Sequence, residues 1–455
     1  MEKVHWADVV AENIVRQRPD NKLFTCAAGI TPSGVIHIGN FRETITVDLV
    51  CRALKDMGKN VRFIYSWDDY DRLRKVPKGI PKGDVLEKHI GKPIVDTPDT
   101  YDCHKSYAEH FEKAVEVNLP IVGIYPEYLY QSQKYRACEY AKDIKFVLEN
   151  KQKIKDILDK YRKEPLPDYW MPLNAFCKKC GFDTTKVTSY NGEWEVTYTC
   201  ECGNSETIDF RTDGSVKLPW RVDWPVRQHF EKVDFEPAGK EHYAQPGGSR
   251  ITANETYEGL YNEKHPIDLK YDFISVKGGA GKMSSSAGDV VTLNDCLEIY
   301  EPEMVRWFFV SSRPNTEFAI SFDLDVLKNY EDFDKCEKIY FGEEKVSEKA
   351  EAKQKRIYEL SCVSEVPKKK PFQPSFRHLT NVLQINDMDI DKTVESYGVK
   401  DERIRVRALC AKNWIQKYAP EEFKYSLKKD IGKVEERFIP ILKEVVKILD
   451  KELTD

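Results

Sequence analysis

The chain lacks any apolar run approaching the roughly 18 residues that a membrane-spanning helix needs, so no membrane partner is expected. Its first twenty residues lack an apolar stretch of signal-peptide type, and a cytoplasmic protein is expected. It also has little net charge: 71 Lys and Arg against 76 Asp and Glu leave −5. That excludes a protein held on nucleic acid by bulk charge alone, although a local basic surface is compatible with it. No internal repeat is found. What is present is ordinary for a soluble globular enzyme, with 41% hydrophobic and 32% charged residues. A length of 455 residues predicts two to four domains, and the chain is read as a monomer. In such a chain the 12 cysteines read as thiols and metal ligands rather than a disulfide framework.

Residues 22–28 are apolar and β-prone and run into Gly29 and the turn Thr31-Pro32-Ser33-Gly34. Phe41 to Met57 then carries helical spacing, with Ile45, Leu49, Leu54 and Met57 near one face and Gly58 as a stop. Val61 to Trp67 reads as a second strand. Strand, turn, helix and strand make a βαβ unit, which implies a parallel sheet with ligands at the carboxyl ends of its strands. Residues 133–163 predict one long amphipathic helix, ended by Pro165 and Pro167. Lys270 to Val276 predicts a further strand. Helical spacing dominates after 325, in 328–341, 376–384, 402–418 and 432–452, with Val363 to Pro374 as a loop.

The turn continues through His37-Ile38-Gly39-Asn40. Its glycines let backbone approach a phosphate, and the helix that follows aims free N–H groups and a positive dipole end at it. His37 can donate to phosphate oxygens. Far downstream stands Lys282-Met283-Ser284-Ser285-Ser286, a lysine with hydroxyls after a glycine-rich loop. Its ammonium can offset charge that grows as an α-phosphate is attacked and pyrophosphate leaves. Either segment alone also reads as a structural turn or surface loop. Together, in this order and context, they point to an ATP site.

A second constellation is Cys177-x-x-Cys180 with Cys200-x-Cys202. Two close pairs at strand turns can bring four thiolates tetrahedrally around one structural Zn2+, against the alternative of buried free thiols. The metal would staple an insertion too small to fold on its own core.

His37-Ile38-Gly39-Asn40 resembles the HIGH motif of class I aminoacyl-tRNA synthetases, and Lys282 to Ser286 resembles their KMSKS motif. Further stretches are similar to the class I lysyl-tRNA synthetases of archaea and some bacteria. These are Thr31 to Glu43, Trp67 to Arg72, Cys103 to Phe111, Trp220 to Pro225, Glu236 to His242 and Tyr271 to Phe273, with Asn413-Trp414 and Lys417 to Glu421 in the helical part. Asn40 at the fourth HIGH position and Ser285 for the second KMSKS lysine are usual in the lysyl branch. The resemblance implies an enzyme that activates L-lysine with ATP, accompanied by Mg2+, and transfers it to tRNA(Lys). It implies catalytic roles for His37, Asn40 and Lys282. ATP contacts would come from Pro32, Ser33, Gly34, His37, Gly39, Asn40, Lys282, Met283, Ser284 and Ser285. Lysine contacts would come from Gly29, Thr31, Trp220, His242, Tyr271 and Phe273.

The fold expected is α/β: a Rossmann-type parallel-sheet catalytic domain in two halves, 1–100 and 211–329, split by a zinc-containing insertion over 101–210 and followed by an all-α anticodon-binding-type domain over 330–455. Family members generally continue past Asp455, so this last domain is read as shortened. Trp414 and Lys417 are candidates for tRNA contact there, with core packing an equal reading for Trp414. A lysine side chain needs an apolar wall for its methylenes and an acceptor for its ammonium. Trp220, Trp224, Tyr271 and Phe273 could form the wall. Asp68, Asp69, Asp223 and Asp272 are the candidate acceptors, and the sequence does not choose among them. Two alternatives stay open. One is a class I synthetase for another amino acid, glutamate nearest, for which Arg221 is the nearby cation. The other is a synthetase-like paralogue without full aminoacylation.

Overall fold

The computed structural model describes residues 4–277, 290–399, 401–427, 432 and 434–452. The chain divides into two compact units, Met1–Pro371 and Phe372–Asp455.

The strands of the first unit are, in chain order, β1 Phe24–Ile30, β2 Val61–Trp67, β3 Glu127–Tyr130, β4 Asn174–Ala175, β5 Thr185–Tyr190, β6 Glu195–Cys200, β7 Ser205–Asp209, β8 Val216–Lys217, β9 Val233–Gly239, β10 Ile267–Tyr271, β11 Ile274–Val276 and β12 Phe318–Ile320. Five form one sheet in the order β10-β9-β1-β2-β3, parallel throughout. The chain order reverses between β1 and β9, which places the switch point at the carboxyl ends of the two central strands. The helix Ile38–Asp56 is the crossover from β1 to β2, and it buries Phe41, Ile45, Leu49 and Ala53. The predicted strand–turn–helix–strand is therefore present. Sequence placed the insertion from 101, but β3 is still a strand of the main sheet.

Between β3 and β9 lies a module with its own apolar cluster, in which Ile144, Leu173, Val196, Tyr198 and Phe210 are buried. It holds the antiparallel sheet β5-β6-β7 and the short pair β4-β8. The single helix expected over 133–163 is three: Gln131–Arg136, Ala141–Glu149 and Lys151–Asp159. Cys138 breaks the first with a left-handed backbone at φ 57°. Asn150, at φ −101° and ψ 17°, caps the second and opens the third. The strand expected over Lys270 to Val276 is also two. β10 closes the main sheet, whereas β11 leaves it to pair with β12.

The helices Asp325–Tyr340 and Glu348–Ser361 pack with Pro302–Ser311 inside the first unit, burying Tyr330, Phe333, Ile357 and Tyr358. Arg306, fully buried, ties this layer to the helix Ile38–Asp56 through Asp48 at 2.7 Å, and donates to the carbonyls of Val122 and Leu360. The division between units thus falls well beyond residue 330. The second unit contains the helices Phe376–Ile385, Ile390–Ser396, Glu402–Lys417 and Ile439–Glu452. Trp414 is its core: fully buried, with ring centroids 6.0 Å from Phe376 and 5.0 Å from Phe423. It is not placed to stack on a base. No described helix is long and apolar enough to cross a membrane.

Candidate active site

A cavity of about 640 Å³ opens at the carboxyl ends of β1, β9 and β10. Gly29, Thr31, Ser33, His37, Gly39 and Asn40 line it together with Trp220, His242, Tyr271 and Phe273. Pro32 and Gly34 lie in the turn from β1 into the helix Ile38–Asp56, outside the lining. Lys282, Met283, Ser284, Ser285 and Ser286 fall outside the described residues.

The turn is built by its own residues. His37 precedes the helix in extended conformation, and its N–H donates to Asn40 Oδ1 at 3.2 Å while the Asn40 N–H donates to the His37 carbonyl at 2.8 Å. The fourth HIGH position is thus occupied by a residue that fixes the helix start, leaving the N-terminus of a 19-residue helix facing the cavity. Gly29 lies where a Cβ would come within 2.8 Å of the Ser66 carbonyl, so the close approach of β1 to β2 requires glycine there.

The helix Trp220–Phe230 supplies further lining through Trp220, Trp224, Arg227 and Gln228. Trp220 and Trp224 stack at 6.3 Å, and Trp224 meets the His242 ring edge-on at 5.7 Å. His242 Nδ1 lies 2.6 Å from Ser249 Oγ. Arg42, buried beneath the site, donates to four carbonyls: Asp272 at 2.8 Å, Phe273 at 3.1 Å, Arg313 at 2.9 Å and Thr316 at 2.8 Å. These bonds fix the backbone where the chain leaves β10 and so aim Tyr271 and Phe273. Burial lowers the Arg42 guanidinium to about 10 against the pull of Asp272.

Carboxylates crowd the floor, and most already have a cation. Asp68 meets Arg227 at 2.7 Å, Asp71 meets Lys217 at 2.8 Å, Glu231 meets Arg62 at 2.9 Å and Glu236 meets Arg250 at 3.4 Å. Asp223 faces both Lys217 and Arg227 at 3.0 Å. Burial opposes the charge of Lys217, but Asp223 and Asp71 outweigh it and hold the ammonium above the ordinary lysine range. Thr31 Oγ1 donates to Asp71 at 3.2 Å, so this ion network positions a cavity wall.

Of the four acceptors offered by sequence, Asp272 is paired with Lys240 at 2.8 Å and Asp69 accepts from Ser132. Neither Asp69 nor Asp223 lines the cavity. The structure adds Glu43, which sequence reasoning missed. Its carboxyl accepts from the Gly29 N–H at 3.0 Å and the Tyr271 hydroxyl at 2.8 Å, both uncharged donors. Burial pushes it up to about 8, against the pull of those two hydrogen bonds. The signal was a lone acid between Phe41 and Ile45 on a helix buried along that stretch.

Away from the cavity, the four predicted cysteines come together. Cys177 and Cys202 Sγ lie 3.7 Å apart, as do Cys180 and Cys200, and all four sulfurs are within 4.8 Å of one another. Sulfurs at about 2.3 Å from a tetrahedral zinc lie about 3.8 Å apart, so the donor set fits that ion. Gly181, at φ 80°, turns the chain so that its N–H reaches the Cys177 carbonyl at 2.6 Å.

The family model for class I tRNA synthetases (K) matches residues 4–364. A lysine–tRNA ligase of Borreliella burgdorferi is 47% identical over 460 residues, covering 100% of this chain and 87% of that one. One from Treponema pallidum is 50% identical over 436 residues, covering 94% and 82%. One from Thermococcus kodakarensis is 43% identical over 440 residues, covering 93% and 83%. With a cavity at the switch point of its parallel sheet and relatives this similar along most of its length, the chain belongs to the class I (K) family of tRNA synthetases.

Proposed function

We propose that the enzyme activates L-lysine with ATP to lysyl-adenylate and transfers the lysyl group to tRNA(Lys). The observation that carries the amino-acid choice is Glu43, a pocket carboxyl whose hydrogen-bond donors are both neutral. A lysine ammonium supplies a cation in direct contact with this carboxyl, which otherwise feels Arg250 only through space. Trp220, Trp224, Tyr271 and Phe273 offer the apolar and aromatic surface for its methylenes. A glutamate side chain would bring a second carboxyl beside this one and supply no cation for it. Arg221, the cation that a glutamate pocket would call on, donates instead to the Gly247 carbonyl at 3.1 Å and Thr252 Oγ1 at 3.0 Å.

The chemistry asks little of the protein beyond placement. An oxygen of the lysine α-carboxylate attacks the α-phosphorus of ATP, and pyrophosphate leaves. His37, Asn40 and the N-terminus of the helix Ile38–Asp56 hold the nucleotide phosphates, and Lys282 offsets the charge on the leaving group, with Pro32, Ser33, Gly34, Gly39, Met283, Ser284 and Ser285 alongside. Mg2+ enters with ATP as a counter-charge to its phosphates. Gly29, Thr31, His242 and Tyr271 orient the amino acid. Cys177, Cys180, Cys200 and Cys202 hold a structural zinc that keeps the insertion folded, and the second unit serves the anticodon side of tRNA. Charging is the test. Labelled lysine incubated with ATP, the protein and a tRNA(Lys) transcript becomes acid-precipitable. Its failure to do so, with exchange into ATP intact, would leave activation and remove the transfer step.

A further inference from the structure

We infer that Arg74 and Lys75 are positioning residues for the phosphodiester backbone of the tRNA 3′ strand where it enters the cavity. The inference rests on the tRNA-charging reading above and adds to it the side chains that guide the strand. The segment 72–82, which follows β2, carries Arg72, Arg74, Lys75, Lys78 and Lys82 and no acid. Its apolar residues set its shape. Leu73 is fully buried beside Leu86, Ile94 and Tyr107, and Val76 and Ile80 pack against the same cluster. The Leu73 N–H donates to the Lys92 carbonyl at 2.8 Å, and the Leu73 carbonyl accepts the Gly91 N–H at 2.8 Å. With the apolar side chains turned inward, the cations between them are left outside, and Arg74, Lys75 and Lys78 are exposed.

Two cations of the segment already have acids: Arg72 meets Asp183 at 2.8 Å, and Lys82 pairs with Asp102. Arg74 and Lys75 differ from them. Both line the cavity, and neither has an ion pair or a hydrogen bond among the described residues. Asp71, itself paired with Lys217 at 2.8 Å, acts on Arg74 only through space. These two cations of the lining are therefore fitted to an anion that a ligand brings. Their position says which one. ATP and lysine end within the cavity, where the nucleotide phosphates are assigned to the N-terminus of the helix Ile38–Asp56. The tRNA strand alone must reach from solvent to the adenylate. Side chains that are exposed and still line the cavity stand at its mouth, where the phosphodiesters of that strand pass. The Arg74 guanidinium offers a fork to phosphate oxygens and the Lys75 ammonium a point charge. Both address backbone and not bases, so they place the strand without selecting its sequence.

The test compares the wild type with the double variant Arg74→Ala, Lys75→Ala. Both side chains are exposed, so the variant is expected to keep the thermal midpoint of the wild type. Filter binding is run across a range of salt concentrations with a tRNA(Lys) transcript and with the same transcript lacking its single-stranded 3′ end. For the intact transcript, the plot of log Kd against log salt is expected to be shallower in the variant by about 1.4, two single-strand phosphates at about 0.7 each. For the shortened transcript the two proteins are expected to coincide. Single-turnover transfer of lysine to tRNA slows in the variant, while lysine-dependent exchange of pyrophosphate into ATP keeps its wild-type rate. A fall in exchange would assign the two cations to ATP and overturn the inference. An equal change with the shortened transcript would assign them to the body of the tRNA and overturn it too, as would an unchanged slope with the intact one. Absence of lysine-dependent exchange in the wild type would sink the charging reading by itself. The slope comparison needs no amino acid and decides the role of Arg74 and Lys75 in either case.

Discussion

Replacing Glu43 by glutamine keeps the shape of the pocket and removes the charge that the lysine ammonium is proposed to meet. Removing one partner of a buried ion pair costs about 3–5 kcal/mol. The unliganded pocket offsets part of that, because the Glu43 carboxyl is raised to about 8 and is mostly protonated at neutral pH. Shedding that proton at pH 7 costs about 1.4 kcal/mol. Glu43→Gln therefore loses about 2–4 kcal/mol of lysine binding, roughly 30- to 1,000-fold in Kd. The sign with pH follows from the raised value. Below about 8 the acid is neutral until lysine arrives, so binding releases nearly one proton at pH 7, and affinity falls as the pH is lowered. Titration calorimetry in buffers of different ionisation enthalpy reads both quantities. The wild type shows a buffer-dependent enthalpy and Glu43→Gln does not. Equal affinities, with no proton released by either, would refute Glu43 as the acceptor.

Three further outcomes are expected. Lys217→Met leaves Asp71 and Asp223 buried without that cation and destabilises the first unit by about 3–5 kcal/mol, seen as a lowered thermal midpoint that Lys217→Arg partly restores. Cys180→Ser, or zinc removal by a chelator, loosens the insertion, and limited proteolysis then cuts first within 174–217. Lys282→Ala slows lysine activation about 10²- to 10³-fold while leaving tRNA affinity unchanged, and equal losses in a filter-binding assay would make the loop structural instead.

The sequence reading was strongest where structure is local. β1, the turn and the helix Ile38–Asp56 are legible because glycines, proline and a 3.6-residue period lie within one short stretch. The four cysteines are legible because their pairs are close in sequence. The break at Cys138 was not, since a left-handed backbone at a residue other than glycine has no signal in an otherwise helical pattern. Nor was the switch of the chain from β10 to β11, which depends on Arg42 reaching carbonyls at 272–273 and 313–316. The lysine acceptor was hidden for a similar reason. Choosing among carboxylates requires knowing which already have cations: Lys217 and Arg227 come from far along the chain to Asp71 and Asp68, and Lys240 comes to Asp272.

The most direct measurement is amino-acid-dependent exchange of labelled pyrophosphate into ATP, run on the purified protein with each of the twenty amino acids in turn. Exchange driven by lysine, and reduced by Glu43→Gln, is the predicted result. Exchange driven by glutamate or another amino acid, with lysine inert, would contradict the assignment of the pocket.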